Sequence, residues 1–276
     1  MTGGFKDKVV LVTGAASGIG RSICLRLARE GSDILLADID QAGLESASRE
    51  IESTGARASW YLADVSDAAQ VEKLHERVMS EHGAPDILVN SAGVAMSGTM
   101  DEVSLDDWRW LLGVNLWGII HTVHYFVGDM YERGSGHIVN LASAAGLFAL
   151  PHAGLYTTSK HAVVGLSAVL RAEASVHGVS VTAVCPGFVR TPMLDNVKTV
   201  EPVKAAGDTE AAKRIAMSAE KLAERIVAGI LKDKPVLTCP LYVKIMHGAS
   251  TFFPRLWDRW MKVSARAGYK ARQAKR

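Results

Sequence analysis

The fold is decided by one stretch, Lys8-Val9-Val10-Leu11-Val12-Thr13-Gly14-Ala15-Ala16-Ser17-Gly18-Ile19-Gly20, which joins an apolar run to a glycine-rich turn. An unbroken aliphatic run is typical of a strand that is buried on both faces of a parallel sheet. The glycines open a helix, whose N-terminal N–H groups and positive potential attract anions, and they let the backbone approach a pyrophosphate. A tight turn that only needs glycine conformations is the alternative. The place of the turn between a strand and a helix favours phosphate binding.

Strands and amphipathic helices alternate along the rest of the chain. Six further strands are expected, at Asp33–Asp38, Ala58–Ala63, Asp86–Asn90, Gly136–Ala142, Val179–Cys185 and Pro235–Cys239. This alternation predicts an α/β fold with a parallel sheet and helices on both faces. Because parallel crossovers are right-handed, we expect a doubly wound arrangement in a single domain. Residues 201–217 are polar and alanine-rich, and we expect a mobile, mostly helical insertion there.

The composition is that of a globular protein, with 48% hydrophobic and 22% charged residues among 276. A net charge of +2 argues against a general nucleic-acid binder. The three cysteines show neither metal-ligand spacing nor an even disulfide framework, which fits a reducing compartment. The N-terminus does not resemble a signal peptide, and no run of 18 apolar residues indicates a spanning helix. A cytoplasmic protein without a metal site is therefore expected.

An aspartate, Asp38, ends the second predicted strand about 20 residues beyond the glycines, where a carboxylate can accept hydrogen bonds from ribose hydroxyls. Its charge would repel a 2′-phosphate, and the next residue is Ile39 where an arginine could have bound one. The sequence therefore predicts NAD rather than NADP as the cofactor. Capping of the following helix is the alternative role, although Asp40 is better placed for it.

A tyrosine and a lysine, Tyr156 and Lys160, stand four residues apart on a predicted helix and share one face. A phenol normally keeps its proton to about pH 10, and a neighbouring ammonium favours the phenolate. At about 4 Å and an effective dielectric near 20 the attraction is about 4 kcal/mol, enough to lower the pKa by up to roughly 3. Such a tyrosine can act as a general acid/base near neutral pH. A surface aromatic beside a solvated lysine is the alternative for the pair alone.

The motifs of the chain resemble, in order and spacing, those of the classical short-chain dehydrogenases/reductases. They are Thr13-Gly14-x-x-x-Gly18-x-Gly20, Asn90-Ser91-Ala92-Gly93, Asn115, Ser143, Tyr156-x-x-x-Lys160 and Pro186-Gly187. The resemblance covers about residues 5–240 and implies a seven-stranded Rossmann domain. It also implies reversible hydride transfer between a nicotinamide and an alcohol/carbonyl pair. One departure is Ser91, where the family usually has a second asparagine; we expect a small structural effect and no lost activity.

The resemblance implies roles for individual residues. Tyr156 is the proton donor and acceptor, Lys160 lowers its pKa and binds the nicotinamide ribose, and Ser143 hydrogen-bonds the substrate oxygen. Asn115 holds a water of the proton relay by bending its helix, and the glycines on either side of it agree with this. The alternative for Asn115 is a buried amide that its own helix satisfies. The implied cofactor-binding residues are Gly14, Ser17, Gly18, Ile19, Gly20, Asp38, Asp64, Val65, Asn90, Gly93, Tyr156, Lys160, Pro186, Gly187, Val189 and Thr191.

The expected substrate is a hydrophobic secondary alcohol or ketone. The residues beside the motifs are mostly apolar, with no arginine to clamp a carboxylate; they are Val94, Met96, Ala145, Leu147, Leu155, Phe188 and Met193. A non-catalytic dinucleotide-binding regulator or scaffold of the same fold is the alternative, but the presence of Tyr156, Lys160 and Ser143 favours the enzyme. Apolar surface on the helices around Asp107–Tyr131 and Leu155–His177, which pair across a dimer interface in the family, predicts a homotetramer or homodimer.

The tail, residues 241–276, lies beyond the motifs and is expected to be a basic amphipathic extension of the domain formed by residues 1–240. It holds nine Lys/Arg and one acid, so it carries +8 while the remaining chain carries −6. Leu256, Trp257, Trp260 and Met261 predict one apolar helical stripe. Packing on the protein or a lid over the site is preferred to contact with a membrane surface, because the stripe is short. We therefore expect residues 252–261 to be ordered near the active site and residues 267–276 to be frayed.

Overall fold

Seven parallel strands form the central sheet of the computed structural model, which describes residues 4–200 and 214–273. The strands of the described chain are β1 Val9–Thr13, β2 Asp33–Asp38, β3 Ala58–Leu62, β4 Ile87–Asn90, β5 Met96–Ser97, β6 Gly136–Leu141, β7 Val179–Pro186, β8 Val189–Arg190, β9 Lys198–Thr199, β10 Met217–Ser218 and β11 Val236–Cys239. The sheet order is β3-β2-β1-β4-β6-β7-β11. The chain order reverses between β1 and β4, so a crevice for ligands is expected at the carboxyl ends of these strands. The predicted seven-stranded, doubly wound sheet is confirmed.

Helices cover both faces of the sheet. Those of the described chain are α1 Gly18–Ala28, α2 Gln41–Glu52, α3 Ala68–His82, α4 Leu105–Leu112, α5 Gly118–Arg133, α6 Gly154–Ser175, α7 Pro192–Asp195, α8 Ala219–Leu231, α9 Leu241–Phe252 and α10 Pro254–Gln273. Successive β1 side chains point to opposite faces. Val10 and Val12 join the core cluster that holds α1, α2 and α8, whereas Leu11 joins the cluster that holds α3, α5 and α6. Both faces of β1 are therefore buried, as its unbroken apolar run requires.

Two short strand pairs arrange the loops at the carboxyl edge of the sheet. β5 pairs with β9, and β8 pairs with β10, each in parallel. The β8–β10 pair joins the start and the end of the segment that leaves the sheet after β7, and the β5–β9 pair attaches this segment to the loop after β4. The predicted insertion at 201–217 falls largely between these pairs, and its residues 201–213 lie outside the described chain.

The segment Leu105–Arg133 is one long helix with an irregular centre. A π-helical turn, Gly113–Trp117, separates α4 from α5. In the described residues, this is the one helix that is long and apolar enough to cross a membrane. Its α5 half packs Ile119, Phe126 and Met130 into the core against the sheet, so we assign it to the core.

The C-terminal extension folds back onto the carboxyl edge of the sheet as α9 and α10. Val243 is fully buried in a small cluster with Phe148, which lies shortly after β6. Trp257 packs edge-on against Phe148, with ring centroids 5.3 Å apart. Order near the active-site loops is therefore as expected for this segment.

The burial and the end of the tail differ from the prediction. Only Trp257 and Met261 of the predicted stripe are half-buried, whereas Leu256 is 66% and Trp260 44% exposed. The helix covers one face with the protein and leaves the adjacent apolar face in solvent. The expectation of fraying from residue 267 is wrong as far as Gln273, because α10 continues to that residue. Alanine, lysine, arginine and glutamine are good helix formers, which explains the continuation.

Candidate active site

The glycine-rich turn lies against the neighbouring strand with no room for side chains. Gly14 has a φ of 67°, and a Cβ on it would lie 2.7 Å from the main chain of Ala92. A Cβ on Gly20 would lie 2.1 Å from the carbonyl oxygen of Gly14. A Cβ on Gly18 would lie 3.3 Å from the side chain of Thr191. The turn is therefore a cradle that only glycine permits, and it brings β1 close to the loop after β7.

The N-terminus of α1 opens from this cradle with its donors uncovered. Ser17 occupies the N-cap but its side chain makes no capping hydrogen bond, and the first turn of α1 carries no acidic residue. By contrast, Asp40 caps α2 and Asp67 caps α3. A helix start with uncapped N–H groups and positive potential suits a phosphate group.

Asp38 stands beside this helix start, at the end of β2. Its Oδ2 accepts a hydrogen bond from the N–H of Ala16 at 3.0 Å, and its Oδ1 accepts one from the N–H of Asp40 at 3.1 Å. Asp40 itself accepts from the N–H of Gly43 and caps α2. The capping role therefore belongs to Asp40, and Asp38 remains a half-buried carboxylate next to the glycine cradle, with Ile39 69% exposed after it.

Asn115 lies in the π-helical turn and is completely buried. Its Oδ1 accepts from the N–H of Val94 at 2.8 Å, and its Nδ2 donates to the carbonyl oxygen of Val94 at 2.9 Å. The alternative of an amide satisfied by its own helix is therefore wrong. A Cβ on Gly118 would lie 2.6 Å from Val65, so glycine permits this close packing of the helix on the β3–α3 loop. Irregular turns of this kind are frequent at functional sites.

Ser143 and Tyr156 form the centre of the site. Ser143 follows β6, and its hydroxyl accepts from the N–H of Ala145 at 3.1 Å. Tyr156 lies in the first turn of α6 and is half-buried. Burial raises the pKa of the Tyr156 phenol, and a hydrogen bond with Ser143 acts in the opposite direction by a smaller amount. The two hydroxyls thus lie together, where both can hydrogen-bond one substrate oxygen.

Lys160 lies one turn further along α6 and is 4% exposed. Its Nζ donates to the carbonyl oxygen of Leu141 at 2.8 Å and lies 5.7 Å from the ring centroid of Tyr156. Burial lowers the pKa of Lys160 to about 8. The expectation that Lys160 brings the phenol pKa below its usual value is wrong for this geometry, because the ammonium points to Leu141 and burial of the phenol dominates. The side chains still share one face, as the spacing predicts.

Gly93 joins the two halves of the site. A Cβ on it would lie 3.2 Å from the Oδ1 of Asn115 and 3.7 Å from the Nζ of Lys160. Thr13 reaches the same loop, since its hydroxyl accepts from the N–H groups of Ser91 and Ala92. The structure therefore gathers the glycine cradle, the Asn115 turn and Lys160 around a single crevice.

The residues of two predicted cofactor contacts also make contacts within the protein. The Asn90 amide donates to Asn140 at 2.8 Å and accepts from Thr122 at 2.7 Å, and the side chain is buried. Asp64 accepts from the N–H and the hydroxyl of Ser66, and Val65 packs on Gly118.

The loop after β7 is held by a residue that the sequence motifs do not include. The Tyr242 hydroxyl accepts from the N–H of Phe188 at 3.0 Å, and a Cβ on Gly187 would lie 2.0 Å from that oxygen. Pro186 ends β7, and Val189 begins the short strand β8. Tyr242 belongs to α9, so the extension positions the segment Pro186–Thr191. No local pattern could have found this contact.

A second missed pair fixes the following segment. Lys198, on β9, forms an ion pair with Asp107 of α4 at 2.7 Å and lies 5.1 Å from the ring centroid of Trp110. The Lys198 and Ser104 hydrogen bonds lower the pKa of Asp107 to about 2. The pair ties the loop that leaves β7 to the helix that carries Asn115.

Apolar side chains pack around Tyr156. Met96, Leu111 and Leu155 are buried in one cluster with which Tyr156, Val94 and other partly buried apolar residues pack. Val94, Met96 and Leu155, three of the residues named from the sequence, belong to this cluster.

Comparison with known proteins decides the family. The model of the short chain dehydrogenase family matches residues 8–202. The chain is a short-chain dehydrogenase/reductase. "Probable oxidoreductase EphD" of Mycobacterium tuberculosis is 37% identical over 266 residues, which cover 92% of this chain and 44% of that protein. The chain thus spans less than half of the length of this relative. Cyclohexanol dehydrogenase of an Acinetobacter species is 33% identical over 205 residues, covering 74% of this chain and 82% of that enzyme.

Solved structures of other short-chain dehydrogenases/reductases share the fold. One from Burkholderia phymatum in complex with NAD has a TM-score of 0.84 and 30% identity, covering 92% of this chain and 96% of that one. One from Sphingobium yanoikuyae in complex with NADPH has a TM-score of 0.75 and 26% identity, covering 92% and 94%. The family therefore supports an oxidoreductase that uses a nicotinamide cofactor, and both NAD and NADPH occur among its neighbours.

Proposed function

We propose that this short-chain dehydrogenase/reductase interconverts a hydrophobic secondary alcohol and its ketone with NAD(H). The observation that carries the proposal is the neighbouring pair Ser143 and Tyr156 with Lys160 one turn away, beside a glycine cradle and an uncapped helix start. These residues fit a dinucleotide, since only glycine fits the cradle and α1 offers free donors. When bound, the nicotinamide supplies or accepts the hydride.

The side chains of the site divide the remaining work. In the direction of reduction, Tyr156 donates its proton to the carbonyl oxygen as that oxygen becomes alkoxide-like, and Ser143 donates a second hydrogen bond to it. Lys160 holds the nicotinamide ribose and carries positive charge close to the phenol. Asn115 keeps the π-helical turn in place and supports the water of the proton relay. The glycine cradle, Asp38 and the segment Pro186–Thr191 bind the cofactor, together with Asp64, Val65, Asn90 and Gly93.

The apolar cluster around Tyr156 supports a hydrophobic substrate. A relative of this chain is named for cyclohexanol, a cyclic secondary alcohol, and this supports the same class of substrate. The test is a panel of alcohols and ketones, from cyclic and aromatic to short and charged, followed at the absorbance band of the reduced nicotinamide. Turnover confined to charged substrates would contradict the proposal. Nucleotide binding without any turnover would instead favour the alternative, a non-catalytic regulator or scaffold.

Cofactor preference follows from Asp38. We expect the unmodified enzyme to prefer NADH, because a carboxylate beside the ribose hydroxyls repels a 2′-phosphate. The double change Asp38→Ala with Ile39→Arg should move the ratio of kcat/KM toward NADPH by about ten- to a hundredfold, the value of one charge-assisted hydrogen bond. Steady-state kinetics with both cofactors measures this shift.

Asp40→Ala is the matched control for that experiment. It removes a neighbouring carboxylate that caps α2, so it should cost about 1 kcal/mol of stability and leave cofactor preference unchanged. A wild-type enzyme that uses NADPH more efficiently than NADH would show that the Asp38 argument is wrong.

We also propose a homo-oligomer, a tetramer or a dimer, that operates in the cytoplasm. Apolar residues lie exposed on the proposed contact helices: Trp110 38%, Trp117 52%, Val169 58% and Val176 80%. We expect sedimentation velocity at micromolar concentration to show a dimer or a tetramer, and Trp117→Glu with Val169→Glu to shift it toward monomer. A wild-type protein that sediments only as a monomer would contradict this.

A further inference from the structure

The extension presents an apolar row to solvent. This row consists of Leu256, Trp260 and Val263 of α10, spaced i, i+4 and i+7, with 66%, 44% and 59% of each residue exposed. At its N-terminal end the row meets Phe252 and Phe253, which are 79% and 60% exposed. Large apolar side chains that form one contiguous exposed surface mark a binding site rather than ordinary surface composition.

A basic row runs beside the apolar row. It consists of Arg255, Arg259, Lys262 and Arg266, all exposed. Its first three members each precede a residue of the apolar row by one position, which places them about 100° around the helix. The remaining face of α10 carries Trp257, which packs against Phe148. The two rows are therefore held side by side, facing solvent, by a helix that is fixed to the body of the protein.

A second copy of the chain is a poor occupant for this surface. In a two-fold symmetric contact the same patch meets itself. In an antiparallel contact of this kind the two basic rows lie on the same side of the interface, and like charges that face each other there cost several kcal/mol. A partner for both rows has to combine a negatively charged surface with an apolar layer beneath it. A bilayer that contains anionic lipids has both, whereas the surface of an acidic protein offers mainly the charge.

We propose that α9 and α10 bind the surface of a membrane that contains anionic lipids. α10 lies parallel to the bilayer, with the apolar row and the two phenylalanines at the boundary of headgroups and acyl chains. The basic row lies at the level of the phosphates, where long cationic side chains keep their charge in the polar layer. The sequence favours packing or a lid for this segment, and the exposure of the apolar row reverses that preference.

The bound surface would border a groove beside the loop that precedes Tyr156. A groove of about 670 Å³ is lined by His152, in the loop before α6, and by residues of α10 that include Val263 and Ala265. Because Val263 belongs to the apolar row, the groove borders the membrane-facing side of α10. A substrate that dissolves in lipid would enter from this side; that step alone rests on the proposed function.

Flotation with lipid vesicles tests the proposal on the full-length protein. We expect it to float with phosphatidylcholine vesicles that contain phosphatidylserine, to float much less with phosphatidylcholine alone, and to be released by high salt. Each basic residue near an anionic surface contributes about fivefold to partitioning. Arg255→Glu with Arg259→Glu should therefore weaken binding at least about 25-fold. Leu256→Ser with Trp260→Ser should also weaken binding to the vesicles, and lowering the salt concentration should not restore it.

The control reverses two charges elsewhere. Lys232 and Lys234 are exposed in the turn before β11, at the opposite edge of the sheet. Lys232→Glu with Lys234→Glu changes the net charge equally and should leave flotation unchanged. Equal loss with the control pair, or no flotation of the wild-type protein, would overturn the proposal. So would wild-type self-association that both α10 variants abolish, since that result assigns the surface to a second copy. Thermal melting of every variant confirms that each one folds.

Discussion

Tyr156→Phe is expected to lower kcat by about 10²- to 10⁴-fold, the usual cost of losing a general acid/base. The change removes only the hydroxyl that hydrogen-bonds with Ser143, while the ring keeps its packing with the apolar cluster around it. Binding of NADH should therefore be retained. Single-turnover and steady-state kinetics, together with titration of NADH fluorescence, separate the loss of chemistry from any loss of binding.

Tyr125→Phe is the matched control for this prediction. Tyr125 is partly buried on α5, where it packs against the core, so the same atom is removed at a position without a proposed role in the chemistry. It should leave kcat within a small factor of the wild-type value. If Tyr156→Phe also turns over at a near-normal rate, Tyr156 has no part in proton transfer.

Lys160→Met is expected to abolish most activity and yet to stabilise the cofactor-free protein. Loss of the buried cation removes the group that we propose to hold the ribose, and kcat/KM should fall by at least about a hundredfold. Burial lowers the pKa of Lys160 from 10.5 to about 8, which amounts to roughly 3 kcal/mol against folding at neutral pH. The variant also loses the hydrogen bond to Leu141, which reduces the expected gain in stability by about 1 kcal/mol.

The pH dependence gives this prediction its sign. Below pH 8 both folded and unfolded chains hold the Lys160 proton, and the cost of burying the charge is present in full. Between pH 8 and 10.5 the unfolded chain binds the proton more strongly, so wild-type stability rises with pH. The advantage of Lys160→Met should therefore be largest below pH 8 and should vanish by about pH 10.5.

Urea unfolding at several pH values measures the difference. Lys232→Met, at an exposed position, should show no such dependence. A Lys160→Met protein that is less stable than the wild type at pH 7 would mean that the buried ammonium is a net structural asset. The expected trade of stability for activity is common where a group that destabilises the fold serves catalysis.

Local sequence signals predicted most of the fold because each element carries its own. Val9–Thr13 reads as a buried strand, and Gly14–Gly20 reads as the turn and the helix start. The bounds of the seven sheet strands agree with the prediction to within one residue. The carboxyl ends of parallel strands meet at one edge, so the order of the motifs also predicted which residues gather at the site.

The remaining features depend on contacts between segments that are distant in the chain. The bond from Phe188 to Tyr242 and the ion pair of Lys198 with Asp107 join residues that no spacing relates. The pKa of Tyr156 was predicted in the wrong direction because an i, i+4 pattern gives the face of a helix and not the direction in which an ammonium points. Burial of one face of α10 likewise depends on where Phe148 lies.

The contact of Tyr242 with the loop after β7 constrains how this chain can be cut or recombined. A division at residue 240 separates the motif-bearing part from the tail that lies beyond the motifs. It also removes the oxygen that receives the Phe188 N–H and fills the space that Gly187 leaves open. The shortest fragment that keeps this loop in place therefore includes α9. A tail taken from a relative has to place a hydroxyl at the same point beside Gly187.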